Sequence, residues 1–577
     1  MTMKKALMFC FGIFLSAIST WAQPPAVNWS GFYIGANAGY NWPHAGGFNG
    51  ANGPISGTGT LNSTNAVQTI DFSKSSYGAG VGVNLNLGYM LNPHLGIDLQ
   101  VGTAFGKKNV FEYTQTGGSG TIRETITTQS KTPWYVAPSV LVSTGATRPL
   151  SVYTRMGVVL PFGGNVIERY LYENDISSID DLTDEEYDFA MSKGLIGSLG
   201  MNYRISPALS VNAELRGMSL TRYVKSSEIT AATSNGVNVL DQYDVDQREF
   251  EYSSSYTYDP VTQTASMPSL RHAVGLPYSN FGVNVGAVYN FNPAPAHNPN
   301  DTTMPLGGRP GLFGRFGVGY NGPHAGNYYV GDGYGSLPIA GTERYTFGSG
   351  VNTIDFSKAS YGSGANVTVA GGYMFNPYFG AELGITINIP RQQTFEYREV
   401  DTIGVGFFTD EISSRPKMPI FITPAFIVST GVHRPLSVYG RAGLVLPVGG
   451  DLVVSTTSTD HTLNEVTETE ERFKYGMSKG LQGALGLQYN VTDALGITFE
   501  ANGTSLTRYT KSSEYTMYTV NGVDLLGDLT TEQRETEYIH SGTFDPTATN
   551  ANTPWKARTI ASPFSTYGFQ LGARIRF

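Results

Sequence analysis

The chain has 577 residues, a formal net charge of −9 and only 14% charged residues, against 70 Gly, 35 Tyr and 30 Phe. The acidic balance argues against nucleic acid as a partner, because phosphate binding wants a basic face. The one cysteine, Cys10, lies in an N-terminal apolar stretch, so the remainder has no disulfide, thiolate chemistry or Cys-ligated metal.

In chain order, residues 1–22 read as a secretory signal peptide. Lys4 and Lys5 precede an apolar run over 6–18, and Thr20-Trp21-Ala22 offers a small-x-small cleavage site that leaves Gln23 first. Large residues, Met8 and Phe9, stand before Cys10, which argues against a lipoprotein signal. Beyond residue 22 no stretch approaches the roughly 18 uninterrupted apolar residues of a membrane helix.

The remainder is a duplication. Thr69-Ile70-Asp71-Phe72-Ser73-Lys74 returns as Thr353-Ile354-Asp355-Phe356-Ser357-Lys358, an offset of 284. Arg148-Pro149-Leu150-Ser151-Val152-Tyr153 returns from Arg434 to Tyr439, and Ser219-Leu220-Thr221-Arg222-Tyr223 from Ser505 to Tyr509, an offset of 286. A period this long marks a repeated domain, since short solenoid repeats recur every ~20–50 residues. The boundaries expected are 23–291 for the first unit, 292–311 for a Pro-rich periplasmic linker and 312–577 for the second.

Each unit parses into eight alternating segments, because side chains on a strand point to opposite faces. The first sets Phe32, Ile34, Ala36, Ala38 and Tyr40 against Tyr33, Gly35, Asn37 and Gly39. The eighth sets Phe281, Val283, Val285, Ala287 and Tyr289 against Gly282, Asn284, Gly286 and Asn290. The fourth carries Pro138, matched by Pro424, which costs a ladder hydrogen bond and predicts a bulge or local break. The sixth spans about 193–204. Segments of ~10 residues exceed the usual soluble strand. Very short turns such as Leu91-Asn92-Pro93-His94 alternate with long polar loops at about 42–70, 107–131, 164–190 and 224–275. That asymmetry predicts an outer-membrane barrel, turns in the periplasm and loops outside. Asn235-Gly236 in the fourth loop is a hairpin signal and predicts that this loop extends the last two strands above the membrane.

Trp29-Ser30-Gly31-Phe32-Tyr33-Ile34-Gly35-Ala36-Asn37-Ala38-Gly39-Tyr40 resembles the opening strand of the OmpA-like small outer-membrane β-barrel family. The closing strand, with Tyr567, Phe569, Leu571, Ile575 and terminal Phe577 on one face, resembles the signal read by the barrel-assembly machinery. The resemblance implies a Gram-negative outer-membrane location, with membrane lipid and lipopolysaccharide around it. The chain departs from the family in its duplication and its long fourth loop.

The fold class expected is therefore all-β, a transmembrane antiparallel up-and-down barrel, as two tandem eight-stranded units or alternatively one sixteen-stranded barrel. Eight strands leave room only for side chains, whereas sixteen leave an aqueous channel. Inward charges are expected at Asp98, Arg155, Glu214 and Arg216, and at Glu382, Arg441 and Glu500. A narrow barrel must pair them; a wide pore would hydrate them. The linker, about twenty residues where adjacent strands need only a few, favours two barrels.

Of the histidines only His44 and His324 correspond, within Pro43-His44-Ala45-Gly46 and Pro323-His324-Ala325-Gly326. Neither has an adjacent Ser, carboxylate or second ligand in sequence, so each reads as a rim residue capping a loop. The acidic third loop, from Glu173 and Asp175 to Asp188, matches no ordered calcium loop and reads as a solvated surface. No cofactor, metal or catalytic residue is expected. The function expected is non-enzymatic envelope structure with surface interaction through the long loops. The alternatives are a porin for small hydrophilic solutes and, after it, a lipid-modifying barrel enzyme.

Overall fold

A computed structural model describes residues 30–292 and 311–577, apart from 46–48, 51–52, 55, 63–66, 326–328, 331–336 and 546–549. The signal peptide and nearly all of the linker lie outside the described residues.

Alternation of small polar and large apolar side chains produces two sets of eight long strands. The first set is β1 (Gly31–Pro43), β2 (Gly80–Asn92), β3 (Leu95–Gly106), β4 (Pro133–Ser143), β5 (Leu150–Gly163), β6 (Gly194–Arg204), β7 (Leu209–Ser219) and β8 (Asn280–Asn290). The second is β9 (Gly311–Pro323), β10 (Gly364–Asn376), β11 (Phe379–Pro390), β12 (Ile420–Ser429), β13 (Leu436–Val448), β14 (Gly480–Asn490), β15 (Leu495–Ser505) and β16 (Thr566–Arg576). Each set is antiparallel and closes on itself.

Closure decides the strand count. β8 pairs with β1, Ala287 opposite Ala36, and β16 pairs with β9, Ala573 opposite Phe316. The sixteen-stranded alternative is thereby excluded, because β8 spends its ladder hydrogen bonds within its own unit. Pro138 breaks the β4–β5 ladder without a bulge: bridging stops at Val136–Leu160 and resumes in the same register at Ser139–Gly157. One set of barrel ends is joined by short turns. At one of them the Asn92 side chain accepts the His94 and Leu95 backbone N–H groups, closing the turn in two residues.

The outward faces form an apolar belt, in which Phe32, Leu85 and Leu87 are each more than half exposed. The inward faces are filled. Tyr33 lies over Gly88 of the next strand and Tyr153 over Gly200, and at either glycine a Cβ would stand 2.3 Å or less from the ring. The inward glycines thus make room for neighbouring aromatic rings.

At the other end the long segments are ordered β-structure, which their polar composition concealed. In unit one the strands 57–62, 67–72, 109–117, 120–130, 166–174, 179–189 and 221–234 build a continuous sheet above the barrel. Its last member, Ser541–Phe544, comes from the second unit and pairs with Val67–Phe72. Reciprocally, Ser255–Tyr258 leaves unit one and pairs with Val351–Phe356. The expected hairpin is only partly present. Asn235 and Gly236 adopt positive φ (50° and 75°), as a tight turn requires. However, the returning strand is only Val237–Asn238, and of the last two barrel strands only β7 is continued at length, by Thr221–Ser234.

Candidate functional site: the barrel interiors and the seam between them

Inside unit one, Asp98 on β3, Arg155 on β5 and Glu214 on β7 converge although they are far apart in sequence. Arg155 bridges the two carboxylates, 3.0 Å from Glu214 and 3.5 Å from Asp98. The Tyr33 hydroxyl donates to Asp98 at 2.6 Å and the Tyr153 hydroxyl to Glu214 at 3.0 Å. Arg216 sits apart from this group and donates to the Tyr135 hydroxyl (2.7 Å) and the Asn41 side chain (3.0 Å). All four charged residues are buried. Taking such charges out of water is costly; ion pairing offsets the cost for Arg155, Asp98 and Glu214, whereas Arg216 is held by the neutral Tyr135 and Asn41 side chains.

Unit two uses a different set. Glu382 accepts from both Arg315 and Arg441 at 2.9 Å, and Arg441 also pairs with Glu500. Arg315 reaches Gln570 at 2.8 Å, and Arg574 lies over the Phe313 ring at 3.7 Å. Arg315 and Arg574 stand beside the expected charges. Arg315 was legible in principle, because it follows Phe313 by two residues and precedes Gly317 and Gly319 on the inward register of β9.

Above each lumen an arginine and aromatic rings form a stopper. Arg222 donates to the carbonyls of Gly163 (2.6 Å) and Gly164 (3.2 Å) and lies against Phe189 and Tyr278. Tyr77, Leu220 and Leu276 pack around it. In unit two Arg508 holds the Gly449 and Gly450 carbonyls and lies against Tyr475 and Phe564. Two glycine carbonyls accept from the guanidinium, and the rings cover its faces.

The units are joined along a seam with a pseudo-two-fold relation. His44 reaches the Ser505 carbonyl at 3.1 Å and His324 reaches the Ser219 carbonyl at 3.1 Å. A carbonyl only accepts, so each Nε2 carries the proton. Thr507 donates to the Ala45 carbonyl and Thr221 to the Ala325 carbonyl. Lys74 lies over Tyr509 and Lys358 over Tyr223. The two histidines are therefore cross-unit ties, which corrects the reading of them as caps on their own loops. Burial lowers both from the usual 6.5 to about 4. Below this, Leu195 fits the space of Gly503, Leu481 that of Gly217, and Thr154 that of Gly440. At the turn end His94 stacks on Tyr378, with ring centroids 4.5 Å apart.

The acidic third loop is a strand pair. Three of its carboxylates each meet one cation: Asp184 with Arg169, Glu186 with Lys131 and Glu185 with Arg271. The closing-strand residues Phe569, Leu571, Ile575 and Phe577 are exposed on the outer face of β16 or at its end, and Tyr567 is half-buried.

The family model described as "Outer membrane protein beta-barrel domain" matches residues 11–257 and 324–524. No curated protein matches the chain. Among solved structures, Neisserial surface protein A is 11% identical over 46% of this chain and 99% of its own, with a TM-score of 0.19. A major outer membrane protein from Thermus thermophilus is 16% identical, over 45% and 99%, with a TM-score of 0.22. A Pseudomonas aeruginosa FadL homologue is 8% identical, over 95% and 89%, with a TM-score of 0.19.

Proposed function

Because this chain belongs to the outer membrane protein β-barrel domain family, we propose that it is a non-enzymatic protein of the Gram-negative outer membrane, serving envelope structure and surface interaction. The observation that carries this reading is the state of the lumens. Side chains that could line a channel are instead tied to one another, as in the Arg155 group and the Arg315–Glu382–Arg441–Glu500 group. Arg222 and Arg508 stand over the loop ends. An eight-stranded barrel has space for such a filling and little besides.

In this reading the signal peptide, residues 1–22, is removed on export, and residues 292–311 link the barrels in the periplasm. The alternating face of Tyr567, Phe569, Leu571, Ile575 and Phe577 is offered to the assembly machinery. The paired β-sheets above the membrane form a shared surface for a ligand or host molecule. Planar-bilayer recording of the purified full chain tests the reading. It predicts no large stable conductance; steady openings of porin size would overturn it in favour of solute diffusion.

A further inference from the structure

Along the seam the two barrels meet at separated points. At the turn end Val142, Val428 and Val438 pack together with Leu95. Toward the loop end Leu195 fits against Gly503 and Leu481 against Gly217. Between the walls is a cavity of about 540 Å³, lined by side chains of both units that include Met156, Leu199, Phe281, Phe426, Ala442 and Leu485. The exposed lining is mostly apolar and comes chiefly from the membrane-facing sides of the strands, with the lumen residues Arg155, Glu382 and Arg441 also bordering it.

An apolar void of ~150 Å³ already takes up a benzene-sized hydrocarbon. A larger one left empty forfeits dispersion contacts in proportion to its volume. Hydrocarbon, not water, surrounds these walls, so the natural filling is a chain from the bilayer.

We propose that this cavity holds an acyl chain of lipopolysaccharide. Depth is the first reason. From the turn-side parts of β5, β11 and β13, at Thr154, Ala381 and Gly440, the cavity runs up to the halves of β6, β7, β14 and β15 nearest the long loops, ending at Ser219 and Ser505. With the loops outside, as the proposed function requires, that half faces the outer leaflet. Charge is the second reason. Lys193 and Lys479 are exposed two residues beyond Leu195 and Leu481, both of which line the cavity. Lys358 of unit two stands close enough to Lys193 of unit one for the two to repel. Cations at the outer mouth of an apolar slot suit a phosphorylated headgroup whose chain runs down into the slot.

Native mass spectrometry of the full chain, extracted from its membrane in mild detergent, tests the assignment. The expected result is a retained glycolipid of lipopolysaccharide mass. Ala442→Trp should lower its occupancy about ten-fold or more, since excluding two methylenes suffices for that. Lys193→Glu with Lys479→Glu should lower it as well, while Leu85→Trp, on the exposed belt of β2, should leave it unchanged. Folding is checked for each variant by heat-modifiable gel migration. Ala442→Met, which repeats the Met156 of the equivalent place in unit one, replaces the Trp variant if that one does not fold. Absence of retained lipid from the unmodified chain, retention of phospholipid instead, or occupancy indifferent to filling at Ala442 would each overturn the proposal. Conductance decides the proposed function independently, so failure of one is distinguishable from failure of the other.

Discussion

Thr154 and Gly440 occupy equivalent places in the two repeats, yet they meet each other across the seam. A Cβ at Gly440 would stand 1.9 Å from the Thr154 hydroxyl oxygen. On a two-fold axis a residue faces its own copy, and two threonines do not fit in that space. A fused chain escapes the constraint by placing different residues at the two positions. Gly440→Thr should therefore destabilise the folded chain by about 1–3 kcal/mol, as overpacking does, and Thr154→Gly added to it should restore most of the loss. Denaturant midpoints of the refolded protein in detergent would check this, and a neutral Gly440→Thr would contradict it.

The seam histidines carry a pH dependence whose sign follows from their shifts. Both lie just beyond the first strand of their barrels and fall from 6.5 to about 4 on burial. A group depressed in the folded state contributes stability that is complete above its unfolded value and is lost as pH falls toward the folded one. Coupling between the units should thus weaken between pH 6.5 and about 4. Lys74 and Lys358, lowered from 10.5 to about 8, change their contribution only above that range. Amide exchange around Ser219 and Ser505 should accelerate over the acidic window. The acceleration should vanish in His44→Gln with His324→Gln, whose amides keep a donor but do not titrate.

At the scale of elements, the barrel strands were legible because each is long, strictly alternating and exposed to hydrocarbon on one face, so composition and register carry the same message. The inward charges were legible for the same reason, as positions on an alternating strand. Arg315 escapes a reading of the repeat because its counterpart in unit one is Gly35, which offers no matching charge. The loop strands were concealed because their apolar residues are few and scattered among polar ones, although Ile70, Phe72 and Phe111 form one buried cluster and Ile354, Phe356 and Phe395 another. Exchange of strands between the units was hidden for the same reason. Ser255–Tyr258 is held by four residue pairs to Val351–Phe356. Thr257→Pro removes a backbone donor and fixes φ in that ladder. It should speed proteolytic nicking within residues 255–268 while leaving the heat-modifiable migration of the barrels unchanged; equal nicking rates would show that the exchanged strand contributes little.

At the scale of the molecule, duplication has produced a pair of barrels in one chain and not a wider barrel. Each unit closes its own barrel, fills its own lumen and closes its own loop end with an arginine and aromatic rings. What the units share lies outside the lumens: a membrane seam of glycines and leucines, and exchanged strands above it. The central claim is that the eighth strand closes on the first. With Cys10 the only native cysteine, paired substitutions can test it by disulfide formation. Ala36→Cys with Ala287→Cys joins residues that face each other across β1 and β8. Phe316→Cys with Ala287→Cys would join them only if β8 paired with β9. Oxidative cross-linking of the folded chain should proceed with the first pair and fail with the second; the reverse outcome would contradict two closed barrels.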